Sequence, residues 1–482
     1  MVLENTYSLL YSRKLVAERI EILQQQNPTH NTHPETKIVH SIQRKVKEHG
    51  AMITKADKGN TTVILPTHQY ETKLQDFLRN NDFSTKATDT TKTFLTQIRS
   101  TIKQSPTLIA KHHKWKYTNM KPTAPTIKGL IKLNKPDQPI RSVVNWRNAT
   151  TYKLSKLFTE KVTQLAPLPH SFNIKNTHDL LKNLVDFPML PHYNLASLDV
   201  TNLYSNIPVK ETKKIFANIL EHNIDTPQTQ QELLKWFDTI SEQNYFTHKD
   251  QIIIQHDGLA MGAPFSGLIS EMFLQHIEHS HLTHLTRKHK IINYCRYVDD
   301  ILIIFDPNHS DIQTILNDFN ALHPKLQFTA EIEEDCTLNY LALSICRTPT
   351  GLRTAIYRKP RFTDTIIPYT SNHPIQHKYA AFRYLYNRLN SYNLQQSEHQ
   401  DELNLIYNIL HNNTFPIKPH KPETPNPNKQ APPHSTQKCA NFTYTGKETS
   451  YITSIFKRTD LKISFSTTQT LAKILSQKDK TT

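Results

Sequence analysis

The chain has 482 residues, and its 58 Lys and Arg against 42 Asp and Glu give a formal charge of +16 at pH 7, so more than one lobe and a polyanionic partner are expected. Its four cysteines (Cys295, Cys336, Cys346, Cys439) show no CxxC spacing, which excludes a zinc ribbon or disulfide framework and fits a reducing compartment. No run approaches the roughly 18 consecutive apolar residues of a membrane span, and Glu4 follows the initiator too closely for a secretory signal, so a soluble, intracellular protein is expected.

In chain order, Tyr7 to about Gln26 places Leu9, Leu10, Val16, Ile20 and Leu23 at helical spacing, which predicts an amphipathic helix. KADKGNTTVIL (55–65) turns at Asp57–Gly59 and then alternates, which predicts a β-hairpin arm carrying Lys55 and Lys58. Prolines and lysines from Ser105 to Pro139 predict loops that end in the strand IRSVVNW (140–146). Next come the strand NLASLDV (194–200) and the strand and turn QIIIQHDGLAMGAP (251–264). Pro264 there occupies a first-turn position of a helix whose apolar face is Ile269, Met272, Phe273, His276 and Ile277.

IINYCRYVDDILIIF (291–305) reads as a hairpin, and FTAEIE (328–333), LNYLALSI (338–345) and LRTAIYRK (352–359) as strands, the last two joined at Gly351. Helices are expected over His377–Leu389 and Glu402–Leu410, then a Pro- and Lys-rich linker over 413–437 and a short closing unit. This order of strands and helices predicts an α+β fold with a palm-like sheet. Glycine occurs only eight times, so each one marks a positive φ or a close backbone approach.

Asp299 and Asp300 interrupt an apolar strand-forming run, where an unpaired carboxylate costs several kcal/mol, roughly 2–7, to bury. Acids of a solvent-facing β-turn are one explanation. A second comes from ASLDVTNLY (196–204), where alternation sends Ala196, Leu198 and Val200 to one face and Ser197 and Asp199 to the other. If that strand lies beside the 291–305 hairpin, Asp199 and Asp299 meet at one sheet end, and such like charges call for a divalent cation between them. Two Mg²⁺ ions roughly 3.5–4 Å apart on such carboxylates serve in-line nucleotidyl transfer.

DVTNLYSNIP, MGAPFSG and YVDD, in that order, resemble the palm motifs of reverse transcriptases. ADKGNTTVIL, YRKPRFTDT followed by NHPIQHK, and KETSYITSIFKRTDLKISFSTTQTLAKIL resemble the Penelope-like retroelement branch, relatives of telomerase. The likeness runs from about Lys55 to Lys480. It implies a right-hand polymerase with an antiparallel palm sheet and a helical thumb: an N-terminal helical extension (1–54), fingers (55–194), palm (195–358), thumb (359–412), linker (413–437) and C-terminal segment (438–482). The implied reaction is RNA-directed DNA synthesis with two Mg²⁺ ions (Mn²⁺ as substitute), an RNA template, a DNA primer and dNTPs, in the nucleus.

By the same resemblance Asp199, Asp299 and Asp300 are the catalytic acids, and Val200 lends its carbonyl to the metal. Tyr204 lies under the incoming sugar. Lys132, Lys135 and Arg141 neutralise the triphosphate, and Gly262 and Pro264 form the loop at the nucleotide and template. Lys55, Lys58, Lys359, Arg361 and Lys378 are assigned to nucleic-acid contact.

The chain departs from the family pattern at Ala342, where an aspartate is usual, and at Gly267, where a proline is usual. It reaches Thr482 without the GIY-YIG endonuclease segment that often follows in this branch, so target cleavage is not expected of it. His276 with His279, or His281 with His284, have zinc-like helical spacing. Histidine is enriched throughout, however, and a basic rim is the expectation there. Two other readings stand beside the polymerase: a decayed or domesticated nucleic-acid-binding protein, and an RNA-dependent RNA polymerase, disfavoured by Tyr204 and YVDD.

Overall fold

The computed structural model describes residues 34–416 and 439–466, apart from 59–60, 80–82, 87, 134, 170–171, 186, 250, 350, 360–361, 393 and 460. The expected helix Tyr7–Gln26, residue Arg361, most of the 413–437 linker and residues 467–482 lie outside the described residues. The chain divides into two compact units, Thr54–Arg358 and a second formed by Met1–Ile53 with Lys359–Thr482.

The strands in chain order are β1 (Ala51–Lys55), β2 (Thr62–Pro66), β3 (Phe83–Lys86), β4 (Thr126–Ile131), β5 (Ile140–Asn145), β6 (Asn194–Val200) and β7 (Tyr245–His248). They continue with β8 (Gln251–Gln255), β9 (Ile291–Tyr297), β10 (Asp300–Phe305), β11 (Phe328–Ile332), β12 (Thr337–Tyr340), β13 (Leu343–Thr348) and β14 (Gly351–Ile356). A four-stranded sheet runs in the order β11-β6-β10-β9, and every pair in it is antiparallel. The expected α+β class with an antiparallel palm-like sheet is therefore present.

Strand β6 shows the anticipated alternation, with Ala196, Leu198 and Val200 at most 2% exposed and Asp199 open to solvent. Ile301–Phe305 of β10 are all buried, so this central strand is covered on both faces and reads as a continuous apolar run. Each such side chain contributes about 1.5–3 kcal/mol. The helix Ser266–His289 packs against β9. Of its expected apolar face Ile269, Met272, Phe273 and Ile277 are buried, whereas His276 is exposed. Pro264 stands outside this helix, before its N-cap Phe265.

A five-stranded sheet runs β3-β8-β7-β4-β5. Strands β7 and β8 thus leave the expected palm span to pair among residues of the expected fingers. The stretch expected as loops holds β4 and the helix Lys114–Thr118. TIKGLI does alternate, with Ile127, Gly129 and Ile131 inward, but flanking prolines hide that short signal. LNYLALSI is not one strand: it folds back at Leu341–Ala342, pairing Tyr340 with Leu343, with Leu341 at φ 53°. The β13–β14 hairpin forms at Gly351 as expected.

In the second unit, the helices Ala380–Ser391 and Gln396–Asn412 share a core of Phe382, Leu385, Leu389, Ile406, Ile409, Leu410 and Phe415. The latter helix starts at Gln396 rather than Glu402. Strands β15 (Cys439–Thr443) and β16 (Lys462–Ser466) pair in parallel. Among the described residues no helix is long and apolar enough to cross a membrane.

Candidate active site

The YVDD sequence forms a two-residue hairpin: Tyr297 closes β9, Asp300 opens β10, and the two are paired across Val298–Asp299. Val298 has φ 56°, a left-handed conformation that strains a β-branched residue by about 1–3 kcal/mol. Three successive carbonyls of this turn accept hydrogen bonds. Arg296 Nη1 donates to Val298 O at 3.1 Å, Val200 N to Asp299 O at 3.1 Å, and Tyr340 Oη to Asp300 O at 2.8 Å. The strained turn is thereby held from its own strand, from β6 and from β12.

Arg296 is 1% exposed. Its guanidinium bonds Glu278 Oε1 at 2.6 Å and Glu271 Oε2 at 2.9 Å, and Tyr294 Oη donates to Glu278 at 2.9 Å. Burial opposes the arginine's charge, yet the hydrogen bonds to Glu278 and Glu271 outweigh it and hold its pKa above the ordinary value. Sequence reasoning missed this buried triad. The signal was present: an arginine inside an apolar strand, and two glutamates on the buried side of a helix.

Strands β10 and β6 pair Asp300 directly with Asp199, so the acids from separate parts of the chain do meet at one sheet end. Partial burial, and next the negative charge of Asp299, push the Asp199 carboxyl above the ordinary aspartate range, while Lys135 and Lys58 act in the opposite direction. Among the described residues no group of three or more His, Cys, Asp or Glu side chains is set to hold an ion. The expected three-acid cradle is therefore not formed by side chains alone. Asp199 with Asp299, whose charge acts on it, still fits Mg²⁺, which commonly takes one or two carboxylates and completes its shell with water and substrate phosphate.

The expected triphosphate residues gather near these acids. Burial, and next the charge of Arg141, lower the Lys132 pKa, with Asp57 opposing and Lys135 and Lys58 adding to the fall. Four cations from KADKGN, the β4–β5 turn and β5 thus share one field. Arg141 is partly committed: its Nη1 lies 3.2 Å from Asp57 Oδ1, whose side chain is only 4% exposed. Asp57 N donates to Ile131 O and Ala56 N to Thr61 O, each at 2.9 Å. The arm thereby docks its turn on β4 and orients the guanidinium. Lys55 is exposed at the end of β1.

Tyr204 is half-buried. Burial, then the Asp299 charge, raise its phenol pKa, and a hydrogen bond with Ser270 opposes them, so the ring lies beside the acids. Its carbonyl accepts from Leu259 N at 2.6 Å. The neighbouring Gly258, not singled out from the sequence as a site residue, has φ +77°, and a Cβ there would lie 2.3 Å from Ser205 O. Gly262 is also required, at φ +113° with Val144 O 2.4 Å from an added Cβ. Its close approach is thus to β5, while Val144 N donates to Met261 O. Pro264 is half-buried in the same loop. A Cβ on Gly267 would meet open space, so that glycine answers to no close packing.

Lys359 and Lys378 belong to the second unit. The Lys378 ammonium donates to Tyr369 O at 2.6 Å and sits over the Tyr369 ring, which makes it a local clamp. On the long helix, His279 Nδ1 is 2.6 Å from Gln275 O, and His276, His281 and His284 are exposed.

Aspartates thus pair at the end of an antiparallel sheet, with the charges of Lys135 and Lys58 acting on Asp199. Residues 134–332 match the family model described as reverse transcriptase (RNA-dependent DNA polymerase). That stretch of the chain is thus similar to reverse-transcriptase domains. Residues 365–420 match that of an animal helix-turn-helix domain, where the helices Ala380–Ser391 and Gln396–Asn412 lie.

Among solved structures, a telomerase from Candida albicans in complex with a TWJ fragment of telomeric RNA is similar at 10% identity and a TM-score of 0.52. The match covers 78% of this chain and 64% of that chain. Apo telomerase from Candida tropicalis follows at 10% identity and TM-score 0.47, covering 77% of this chain and 66% of that one. A sicinivirus RNA-dependent RNA polymerase matches at 13% identity and TM-score 0.41 over 67% of each chain. The Candida albicans likeness shows the right-hand polymerase fold, and this chain spans 64% of that telomerase's length. None of the curated proteins matches.

Proposed function

We propose that this protein is the RNA-directed DNA polymerase of a Penelope-like retroelement, adding dNTPs to a primer 3′-end on an RNA template. The observation that carries the reading is the meeting of Asp199 with the Asp299–Asp300 turn, within the field of Lys58 and Lys135. The branch assignment rests on ADKGNTTVIL, YRKPRFTDT and the KETSYITSIFKRTDLKISFS segment. A nuclear location follows from the need to reach genomic DNA.

Asp199, Asp299 and the Val200 carbonyl, with Asp300 adjacent, would hold two Mg²⁺ ions. Such ions supply Lewis-acid stabilisation of the attacking oxygen and of the triphosphate. Lys132, Lys135 and Arg141 take the triphosphate, Arg141 being pre-oriented by Asp57. A bond forms from the primer 3′-oxygen to the α-phosphorus as the bond toward the β-phosphate breaks. Pyrophosphate leaves, and the hydroxyl proton passes to solvent. Tyr204 would lie under the sugar of the incoming nucleotide, a role supported by the Asp299 charge acting on its phenol.

Primer extension on poly(rA)/oligo(dT) with Mg²⁺ tests the reading, and no incorporation by the folded protein would remove it. Tyr204→Ala is expected to raise ribonucleotide incorporation relative to deoxyribonucleotide incorporation by about tenfold or more, the range of about 1–3 kcal/mol open to a steric pocket. Competition between rNTP and dNTP measures this. An unchanged ratio would leave Tyr204 as core packing.

A further inference from the structure

From Thr90 to Pro136 the chain contains ten Lys or Arg and no Asp or Glu. At the centre of this acid-free stretch lies KHHKWKYTNMK (111–121), where Trp115 is 66% exposed. The segment is ordered by its own lysines and a neighbour's: Lys114 Nζ donates to Lys103 O at 2.8 Å, and Lys153 Nζ to Lys116 O at 2.7 Å. Lys111, Lys116 and Lys121 remain exposed, and among the described residues no carboxylate is paired with them. Lys128, outward on β4, follows in the sequence before Lys132 and Lys135. Other large side chains are also exposed, Tyr384 at 62% among them, and what sets Trp115 apart is an indole placed among lysines in a stretch without acids. It matches the stacking platform and backbone-tracking charge of single-strand binding surfaces.

We propose that the Lys111–Lys121 segment binds single-stranded nucleic acid, a base stacking on Trp115 and phosphates held by Lys111, Lys116 and Lys121. The proposal rests on the reading of the chain as a polymerase in naming the strand as template, but its test does not depend on turnover. The chain has three tryptophans, and Trp146 and Trp236 are 2% and 0% exposed, so acrylamide quenching of the full chain reports mainly on Trp115.

Saturating oligo(U) or oligo(dT) is expected to shield that fluorescence from acrylamide, the two arms distinguishing RNA from DNA, while an intact duplex shields it less. In fluorescence anisotropy with labelled oligo(U), Trp115→Ala should weaken binding by about 5- to 100-fold and Trp115→Phe should retain most of the affinity. Unchanged quenching at saturation would overturn the proposal, as would equal affinity of wild type and Trp115→Ala, or displacement by polyglutamate as potent as by oligo(U). A protein that extends primers without shielding Trp115 sinks this inference alone. One that shields Trp115 but never incorporates nucleotide sinks the polymerase reading alone.

Discussion

Asp299→Asn is expected to reduce primer extension by more than about 100-fold, because loss of an outer-shell partner alone typically costs about 10–100-fold at a metal site and Asp299 faces the site directly. The fold should survive. Asn keeps the shape of the Val298–Asp299 turn, whose carbonyl bond to Val200 N is made by backbone, and it removes a like charge from beside Asp199.

The pH dependence of stability gives an independent check. The Asp199 carboxyl is raised by partial burial and then by Asp299. The native state therefore keeps this proton to a higher pH than the unfolded chain does. The associated stability is present below the ordinary aspartate pKa and is lost as pH rises through the raised value. In Asp299→Asn one cause of the elevation is gone, so the loss should be smaller and should end at lower pH. Wild-type incorporation by Asp299→Asn in primer extension would remove the catalytic assignment. An unchanged melting-temperature profile against pH would remove the electrostatic account.

Arg296→Met is expected to destabilise the Thr54–Arg358 unit by about 3–5 kcal/mol, the cost of leaving a buried charge without its partner. Glu278 is 7% exposed and Glu271 23%, and both lose the guanidinium in this variant. The same change frees the Val298 carbonyl of a turn whose φ is already unfavourable. Replacing the triad together, as Arg296→Met with Glu271→Leu and Glu278→Leu, should recover most of the stability, since apolar groups of similar volume often match a buried ion network. Activity should not return with it if Arg296 positions the acids through Val298 O. Urea denaturation of the three proteins, set beside their primer-extension rates, separates the two roles. A single variant within about 1 kcal/mol of wild type would show the triad to be incidental.

Local pattern made much of this molecule legible. Alternation in NLASLDV told which way Asp199 faces, because a strand sends successive side chains to opposite faces whatever lies beyond it. The apolar run 301–305 marked a strand covered on both sides. The expectation for LNYLALSI went wrong for a related reason: its apolar residues suit one strand or two, and only pairing Tyr340 with Leu343 decides where the chain reverses. Arg296 was equally hard to place, since its acceptable burial depends on glutamates contributed by a helix packed against its strand.

By itself, then, the amino-acid order determined the strands that carry the acids, the faces those acids take and the basic surplus around them, all set by near-neighbour geometry and charge. Tertiary structure alone decided that Asp57 holds Arg141, that Gly258 and Gly262 press against the backbones of Ser205 and Val144, and that three donors from separate strands grip the Val298–Asp300 turn. Apart from Arg296 with Val298, those contacts join residues far apart in the chain, and which of many polar groups become partners is settled only when burial brings them together.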